Sequence, residues 1–194
     1  MTNFILDDKK IQQIYTTNQK SLDKTVEHVV QLLKNKNAVI ATAESCTGGL
    51  LSQLITSVPG ASNVFELGIC TYSEHMKTQI LNVPEDTIRT YGVVSSEVAA
   101  AMLRGLHAVS QADICLSVTG IAGPDGGTLE QPVGTVYAGV LFKDQIYIAH
   151  LKLWEFGLTT RESIRNGTAI CIFGMTEHFL MEESTCRMKE NPKP

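Results

Sequence analysis

One serine stands where the local pattern of the chain changes from strand to helix. The apolar run 38–43 is typical of a buried strand, Glu44-Ser-Cys-Thr-Gly-Gly49 interrupts it, and leucine and isoleucine then recur at helical spacing from Leu50. Such a turn lifts side chains off the carboxyl edge of a sheet, and the N–H groups that follow favour negative charge. Ser45 is therefore a candidate nucleophile with an oxyanion site beside it.

Two familiar motifs do not match this segment. Glycine does not flank Ser45 on both sides, as in the nucleophile elbow of hydrolases. No Gly-Lys-Ser/Thr triplet closes it as a phosphate loop. The alternative interpretation is structural: Ser45 and Thr47 cap the helix, and the glycines Gly48 and Gly49 permit tight packing. The residues alone leave both interpretations open.

A serine nucleophile needs a base, and a lysine is the best-placed candidate. The five histidines lie in or at the start of predicted helices and strands, where structural or surface roles are commoner than catalysis. Lys77 lies one helical turn after Tyr72-Ser73 and projects near the same edge of the sheet. A lysine with a lowered pKa can accept a serine proton. A lysine at this position is also typical of an ordinary solvated helix.

A glycine-rich stretch follows the next buried strand. The segment Thr119-Gly-Ile-Ala-Gly-Pro-Asp-Gly-Gly127 lets the backbone approach a ligand and offer N–H groups to anionic or amide oxygens. It lacks the GxGxxG spacing of dinucleotide-binding folds, and a long tight loop is the alternative. The candidate contacts in this stretch are Thr119, Gly120, Gly123 and Gly126.

Two arginines begin the last predicted helix. Arg161 and Arg165 are four positions apart and share one helix face, where a guanidinium fork can bind a phosphate. An ordinary surface pair is equally compatible with this spacing.

Composition excludes several classes of function. The chain has 194 residues, of which 43% are hydrophobic and 19% charged, which predicts one domain with a substantial core. A net charge of −4 with a pI near 5.7 argues against a nucleic-acid partner bound through a broad basic surface. No apolar run approaches the roughly 18 residues of a membrane span. Residues 1–20 lack the apolar region of a secretory signal.

The cysteines indicate the compartment. Five of them are widely spread, without a CxxC pair, which indicates a reducing environment, buried thiols and no zinc site. We therefore expect a cytoplasmic protein without a metal or cofactor, and without a nucleic-acid or membrane partner.

Strands and helices alternate along the chain. Strands are predicted over 38–43, 65–72, 114–119, 135–142 and 145–154, and helices over 7–15, from residue 22, and over 50–58, 73–81, 84–91, 95–109 and 161–181. With a hairpin at Lys143-Asp144, this order predicts a three-layer α/β/α sandwich with a mixed sheet. The expected divisions are an N-terminal extension (1–21), one domain (22–181) and a flexible tail (182–194).

Five motifs in this order resemble a known family. They are Ala43-Glu-Ser-Cys-Thr-Gly-Gly49, Tyr72-Ser73 with Lys77, Gly92-Val-Val-Ser95, Thr119-Gly-Ile-Ala-Gly-Pro124 with Gly126-Gly127, and Pro132-Val-Gly134. Over about residues 22–181 the chain resembles the C-terminal domain of the competence-damage-inducible protein A (CinA) family. Stand-alone members are nicotinamide mononucleotide deamidases, whereas full-length relatives carry a molybdopterin-binding-like domain first. Residues 1–21 are too short for that domain, so we expect the stand-alone form.

The resemblance implies a reaction and roles for particular residues. The expected protein is a homodimer that hydrolyses the carboxamide of nicotinamide mononucleotide to nicotinate mononucleotide and ammonia, within NAD salvage. Ser45 would be the nucleophile and Lys77 its base, with Tyr72 close by. Thr47 and Gly48 would contact the substrate from the nucleophile turn, and the loop from Thr119 would line the pocket. An arginine of the last helix would bind the phosphate, with Arg165 at the better matching position.

Three positions depart from the common pattern of the family. Glu74 stands where asparagine usually follows Tyr-Ser, and Gln131 where lysine often precedes Pro-Val-Gly. The stretch 157–162 is longer than the usual Gly-Asp-Arg-Glu and lacks the aspartate. The altered stretch around Arg161 favours a second hypothesis, a catalytically weak nucleotide-binding or regulatory protein linked to competence or DNA damage. The presence of both Ser45 and Lys77 favours the amidase.

Overall fold

The elements of the chain follow the predicted alternation closely. The computed structural model describes the backbone of residues 2–190 and the side chains of residues 3–182. The strands are β1 (Thr2–Ile5), β2 (Ile40–Glu44), β3 (Phe65–Cys70), β4 (Ile114–Gly120), β5 (Thr135–Phe142) and β6 (Gln145–Lys152). The helices are α1 (Asp8–Asn18), α2 (Leu22–Lys36), α3 (Leu50–Thr56), α4 (Glu74–Leu81), α5 (Glu85–Tyr91), α6 (Ser96–Ser110) and α7 (Arg161–Glu190). Short 3₁₀ turns lie at Ala61–Asn63 and Leu153–Phe156.

The strands of the described residues form one mixed sheet. Its order is β1-β6-β5-β4-β2-β3. β2 pairs in parallel with β3 and β4, and β1 pairs in parallel with β6, whereas β4, β5 and β6 form an antiparallel meander. The prediction of a mixed sheet is confirmed. Because β3, β2 and β4 are parallel neighbours, their carboxyl ends meet at one edge of the sheet.

Helices cover both faces of this sheet, as the predicted three-layer sandwich requires. α1, α2, α3 and α7 lie on one face, and α4, α5 and α6 lie on the other. Alternate residues of the central strands enter two separate cores. Ile40 and Leu116 belong to the core under α2 and α7, whereas Ala41 and Cys115 belong to the core under α6.

The predicted N-terminal extension is packed into the domain. Residues 2–5 form the edge strand β1, which pairs with β6 in parallel. Ile11, Ile14 and Tyr15 of α1 are buried in the same core as α2 and α7. Asp8 at the start of α1 forms an ion pair of 2.8 Å with Lys152 of β6. Residues 2–18 therefore complete the sheet and one helical layer.

The last helix is longer than predicted. α7 continues past Met181 to Glu190, so that the predicted flexible tail, 182–194, begins within a helix. The final four residues, 191–194, lie outside the described part of the chain. Over the described residues, no helix is both long and apolar enough to cross a membrane.

Candidate active site

The alternation of side chains along β2 places Ser45 on the face of the sheet that α4 and α6 cover. Ala41 and Ala43 face the core under α6, whereas Glu44 points to the opposite face, toward α3. Side chains alternate along an extended chain, so that Ser45, directly after the strand, returns to the α6 side. Thr71, after the neighbouring strand β3, continues the ladder because its N–H donates to the Glu44 carbonyl at 2.9 Å. The site therefore lies at the carboxyl ends of parallel strands.

Helix α4 places Lys77 directly against this serine. Ser73 caps α4 by accepting from the Met76 N–H at 3.4 Å, and the first helical turn then carries Lys77 inward. Lys77 Nζ lies 3.0 Å from Ser45 Oγ and donates to the Thr71 carbonyl at 2.6 Å. Lys77 is fully buried, and Ser45 is 8% exposed. The structure thus brings together the two residues predicted as nucleophile and base.

The surroundings of Lys77 favour a neutral amine. No carboxylate forms an ion pair with Lys77 among the side chains that the structure describes. Burial lowers the pKa of Lys77 below the ordinary lysine value, while the Cys46 thiol and the Glu74 carboxylate act in the opposite direction. A neutral Nζ has a lone pair, and at this distance it can take the proton of Ser45.

Glu44 caps the N-terminus of α3. The alternative interpretation, in which Ser45 and Thr47 cap this helix, is therefore wrong. Glu44 Oε2 accepts from the N–H groups of Gly49 (3.0 Å) and Leu51 (3.1 Å). Glu44 Oε1 accepts from the N–H (2.9 Å) and the hydroxyl (2.8 Å) of Ser52. Ser45 Oγ contacts Lys77 instead, and the buried Thr47 Oγ1 has no hydrogen-bond partner among the described residues.

The turn after Ser45 leaves two N–H groups for an oxyanion. Gly48 adopts a left-handed conformation (φ 59°), and its N–H donates to the Ser45 carbonyl at 3.0 Å. The Gly49 N–H is bound by Glu44. The N–H groups of Cys46 and Thr47 have no acceptor in another residue of the described chain. The Cys46 N–H contacts its own thiol, and Cys46 lines the cleft above Ser45. Sequence reasoning proposed the N–H groups of this turn as donors to an oxyanion. Those of Cys46 and Thr47 remain available for that role.

A cleft of about 440 Å³ opens over Ser45 and Lys77. Its walls come from the β3–α4 connection, the segment before α6, the glycine-rich loop and the start of α7. The side chains of Tyr72, Glu74, Asp125 and Arg161 are among those that line it. The cleft is lined by four of the predicted contact residues, Thr119, Gly120, Gly123 and Gly126. Thr47 and Gly48, also predicted, are not among its lining residues.

The predicted residues of the glycine-rich loop shape the wall mainly through their backbone. The Thr119 hydroxyl donates to the Val93 carbonyl at 2.8 Å, which ties β4 to the segment before α6. A Cβ on Gly120 would lie 2.8 Å from the Thr135 carbonyl oxygen, so that only glycine fits there. Gly123 and Gly126 have positive φ angles of 75° and 90°, which glycine adopts without strain.

The two arginines of α7 have different places. Arg161 lines the cleft, donating to the Gly123 carbonyl and to the Tyr72 hydroxyl, both at 2.9 Å. Arg165 points behind the nucleophile turn, where its Nε (2.9 Å) and Nη2 (2.7 Å) both donate to the Thr47 carbonyl. The sequence favoured Arg165 for the phosphate, but the structure brings Arg161 to the cleft and Arg165 to the turn.

Comparison with known proteins identifies the family of the chain. The family model of the CinA C-terminal domain matches residues 22–180. The chain belongs to the CinA C-terminal domain family.

Among curated relatives, a CinA-like protein of Thermotoga maritima is 47% identical over 139 residues, 72% of this chain and 33% of the relative. A competence-damage inducible protein of Caldanaerobacter subterraneus subsp. tengcongensis is 40% identical over 178 residues, 89% of this chain and 42% of the relative. The chain thus spans about a third to two-fifths of the length of these relatives.

Solved CinA structures share the fold. A CinA superfamily protein of Klebsiella pneumoniae has a TM-score of 0.78 at 25% identity, with 84% of this chain and 99% of that chain covered. A competence/damage inducible protein of Agrobacterium tumefaciens has a TM-score of 0.74 at 29% identity, over 84% of this chain and 95% of that one. These names refer to competence and damage and specify no reaction.

Sequence reasoning missed the structural roles of two residues, Glu44 and Arg165, that organise this CinA site. Glu44 precedes the nucleophile, and a carboxylate ahead of a helix is a recognisable signal for an N-terminal cap. The role of Arg165 has no local signal, because its partner Thr47 is far away along the chain. The motif identified the nucleophile turn, whereas the contacts that hold the turn became visible only in the fold.

Proposed function

We propose that this CinA domain is an amidohydrolase that converts nicotinamide mononucleotide to nicotinate mononucleotide and ammonia, within NAD salvage. The observation that carries the proposal is the 3.0 Å contact between Ser45 Oγ and the buried Nζ of Lys77. A serine hydroxyl is a weak nucleophile by itself, and an adjacent base with a lowered pKa activates it. The family resemblance supplies the substrate.

The first half of the reaction makes an ester. Lys77 Nζ takes the Ser45 proton as Oγ attacks the carboxamide carbon, and the carbonyl oxygen becomes an oxyanion. The N–H groups of Cys46 and Thr47 are the candidate donors to that oxygen. The protonated Lys77 then gives its proton to the departing nitrogen, the C–N bond breaks, and ammonia leaves an acyl-enzyme on Ser45.

The second half restores the enzyme. Water enters the position that ammonia has left, and neutral Lys77 accepts its proton as the oxygen attacks the ester carbon. The C–O bond to Ser45 breaks and Lys77 returns the proton to Oγ. The acid gives its remaining proton to solvent, where ammonia becomes ammonium, and nicotinate mononucleotide is released as a carboxylate. One lysine thus acts first as base and then as acid in each half.

The start of α7 supports recognition of the nucleotide. Arg161 is the arginine that lines the cleft, and its guanidinium bridges the Gly123 carbonyl and the Tyr72 hydroxyl. From this position it can also form a charge-assisted bond to a phosphate at the mouth of the cleft. The exposed ring of Tyr72 forms the adjacent wall, 60% accessible. The homodimer that the family implies stays a prediction.

The deciding experiment is an assay of the purified protein with nicotinamide mononucleotide. We expect equal amounts of ammonia and nicotinate mononucleotide, measured by a coupled ammonia assay and by chromatography of the nucleotide. Saturable binding of the mononucleotide without ammonia would contradict the amidase and favour the nucleotide-binding or regulatory alternative. Ammonia without nicotinate mononucleotide would contradict the proposed reaction.

A further inference from the structure

Glu74 lies in the cleft on the same helix as the base. It is the first residue of α4, three positions before Lys77, so that both side chains belong to one helix face. Glu74 lines the cleft together with Ser45 and Lys77, and its side chain is exposed to solvent. No cation forms an ion pair with it among the described residues.

The charge of Glu74 reaches the reaction centre. Burial lowers the pKa of Lys77, and the Cys46 thiol and the Glu74 carboxylate are the groups that raise it. Asp125 is the other carboxylate that lines the cleft, but it belongs to the glycine-rich loop and does not contribute to this shift. Of the two acids, Glu74 is therefore the one that shares the helix of the base and raises the pKa of Lys77.

Amide hydrolysis changes the charge of the bound molecule at one place. A neutral carboxamide and water become a carboxylate and an ammonium ion, while the pyridinium ring and the phosphate keep their charges. The product thus carries one additional negative charge, on the carbon that Ser45 attacks. Arg161, whose guanidinium lines the cleft, attracts that charge and opposes release of the acid.

We propose that Glu74 is a specificity-determining residue that discriminates by charge, favouring the uncharged carboxamide and weakening binding of the carboxylate product. The inference rests on the proposed function, because the two ligands are its substrate and product. Like charges repel across a partly solvated cleft, and the repulsion offsets the attraction of Arg161 for the acid. The same repulsion promotes release of the acid and reduces product inhibition.

The test compares two dissociation constants in matched variants. Calorimetry measures the binding of nicotinamide and nicotinate mononucleotides to Ser45→Ala, which cannot consume the amide, and to Ser45→Ala with Glu74→Gln. Both ligands share the pyridinium and the phosphate, so that the effects of Glu74 on these groups cancel in the ratio of acid to amide constants. We expect this ratio to fall about fivefold to tenfold on removal of the Glu74 charge.

Glu85→Gln is the control for this variant. Glu85 is the first residue of α5, and it lines a neighbouring cavity that shares Glu74 with the cleft but does not contain Ser45. The same change of charge there should leave the ratio unaltered. An unchanged ratio in Glu74→Gln, or an equal fall in Glu85→Gln, would overturn the inference even if the wild type releases ammonia.

Failure of the proposed reaction has a different signature. A wild type without ammonia release, whose ratio still falls in Glu74→Gln alone, would overturn the reaction and support the charge discrimination. Failure of both mononucleotides to bind at millimolar concentration would overturn the two together.

Discussion

Lys77 is the side chain whose environment governs the proposed chemistry. A buried ammonium without a carboxylate partner is costly. Among the described residues, two polar contacts replace its water, the Ser45 hydroxyl and the Thr71 carbonyl. Burial therefore lowers the pKa of Lys77 and increases the neutral fraction at a given pH. The base is active in that neutral form.

The first prediction concerns the dependence of activity on pH. Because only neutral Lys77 can accept the Ser45 proton, kcat/KM should rise with pH through a group whose pKa lies below the ordinary lysine value of about 10.4. Steady-state rates with nicotinamide mononucleotide between pH 5 and about 10 measure this limb. Lys77→Met should lose most of the activity, and the rise of kcat/KM with pH should disappear. Lys24→Met, at an exposed lysine, is the matched control. A profile that persists in Lys77→Met would exclude Lys77 as the base.

The second prediction separates the two arginines of α7. Arg161→Ala removes a cation from the cleft, so that KM for the mononucleotide should rise, by about tenfold to a hundredfold for a charge-assisted contact worth roughly 1.5–3 kcal/mol. The weaker reaction of nicotinamide riboside, which has no phosphate, should change little. Arg165→Ala should instead lower kcat on both substrates, because the Thr47 carbonyl loses both of its guanidinium donors. The opposite split would assign the phosphate to Arg165.

Among the secondary-structure elements, α3 depends on a buried carboxylate. Glu44 is fully buried and accepts four hydrogen bonds at the N-terminus of the helix. In Glu44→Gln the amide nitrogen would face N–H donors, which leaves buried donors without an acceptor. The third prediction is a loss of about 1–3 kcal/mol in the free energy of unfolding, measured in urea.

Activity provides a second readout for Glu44. The nucleophile turn lies between Glu44 and α3, so that kcat should fall in Glu44→Gln while KM changes little. Glu66→Gln, an exposed site on β3, should alter neither stability nor kcat. A fully stable and active Glu44→Gln would contradict the role of the carboxylate as the organiser of the turn.

The sequence predicted an element correctly where a short stretch of neighbouring residues determines it, and failed where the element depends on residues far away along the chain. β5 was predicted over 135–142 and observed there, and the hairpin after it has positive φ at Lys143 (50°) and Asp144 (58°), as a tight two-residue turn requires. β1 was missed, because four residues carry little periodicity and its partner β6 is distant in sequence. The proximity of Ser45 and Lys77 could be predicted, because both follow strands that end at the same edge of the sheet. The contact of Arg165 with Thr47 could not be predicted from the sequence.

At the scale of the whole molecule, residues 2–18 belong to the domain because α1 packs closely on α7. Gly174 permits this approach: a Cβ there would lie 2.5 Å from Ile14 Cγ2 and 2.6 Å from Asn18 Nδ2. Replacing a helical glycine with alanine ordinarily favours a helix by about 1 kcal/mol. Here the added methyl group would collide with α1.

The fourth prediction reverses that ordinary preference. Gly174→Ala should lower the free energy of unfolding by about 1–3 kcal/mol through overpacking. Adding Ile14→Ala, which makes space for the methyl group, should cost less than the sum of the two single changes, as a double-mutant cycle in urea would measure. Strict additivity would show that α1 and α7 are not coupled at this contact. Well below the unfolding temperature, kcat/KM should stay unchanged, because the active site touches α7 at Arg161, about 20 Å along the helix from Gly174.

The most direct test of the central claim is ammonia release by Ser45→Ala. Ser45 supplies the attacking oxygen and its side chain caps no helix, so that alanine should preserve the fold and remove the reaction. Exposed Ser57→Ala, at the other end of α3, is the control, and unfolding curves verify that both variants are folded. We predict that Ser45→Ala releases ammonia at less than about a tenth of the wild-type rate. A folded Ser45→Ala that retains more than this would contradict a mechanism in which Ser45 is the nucleophile.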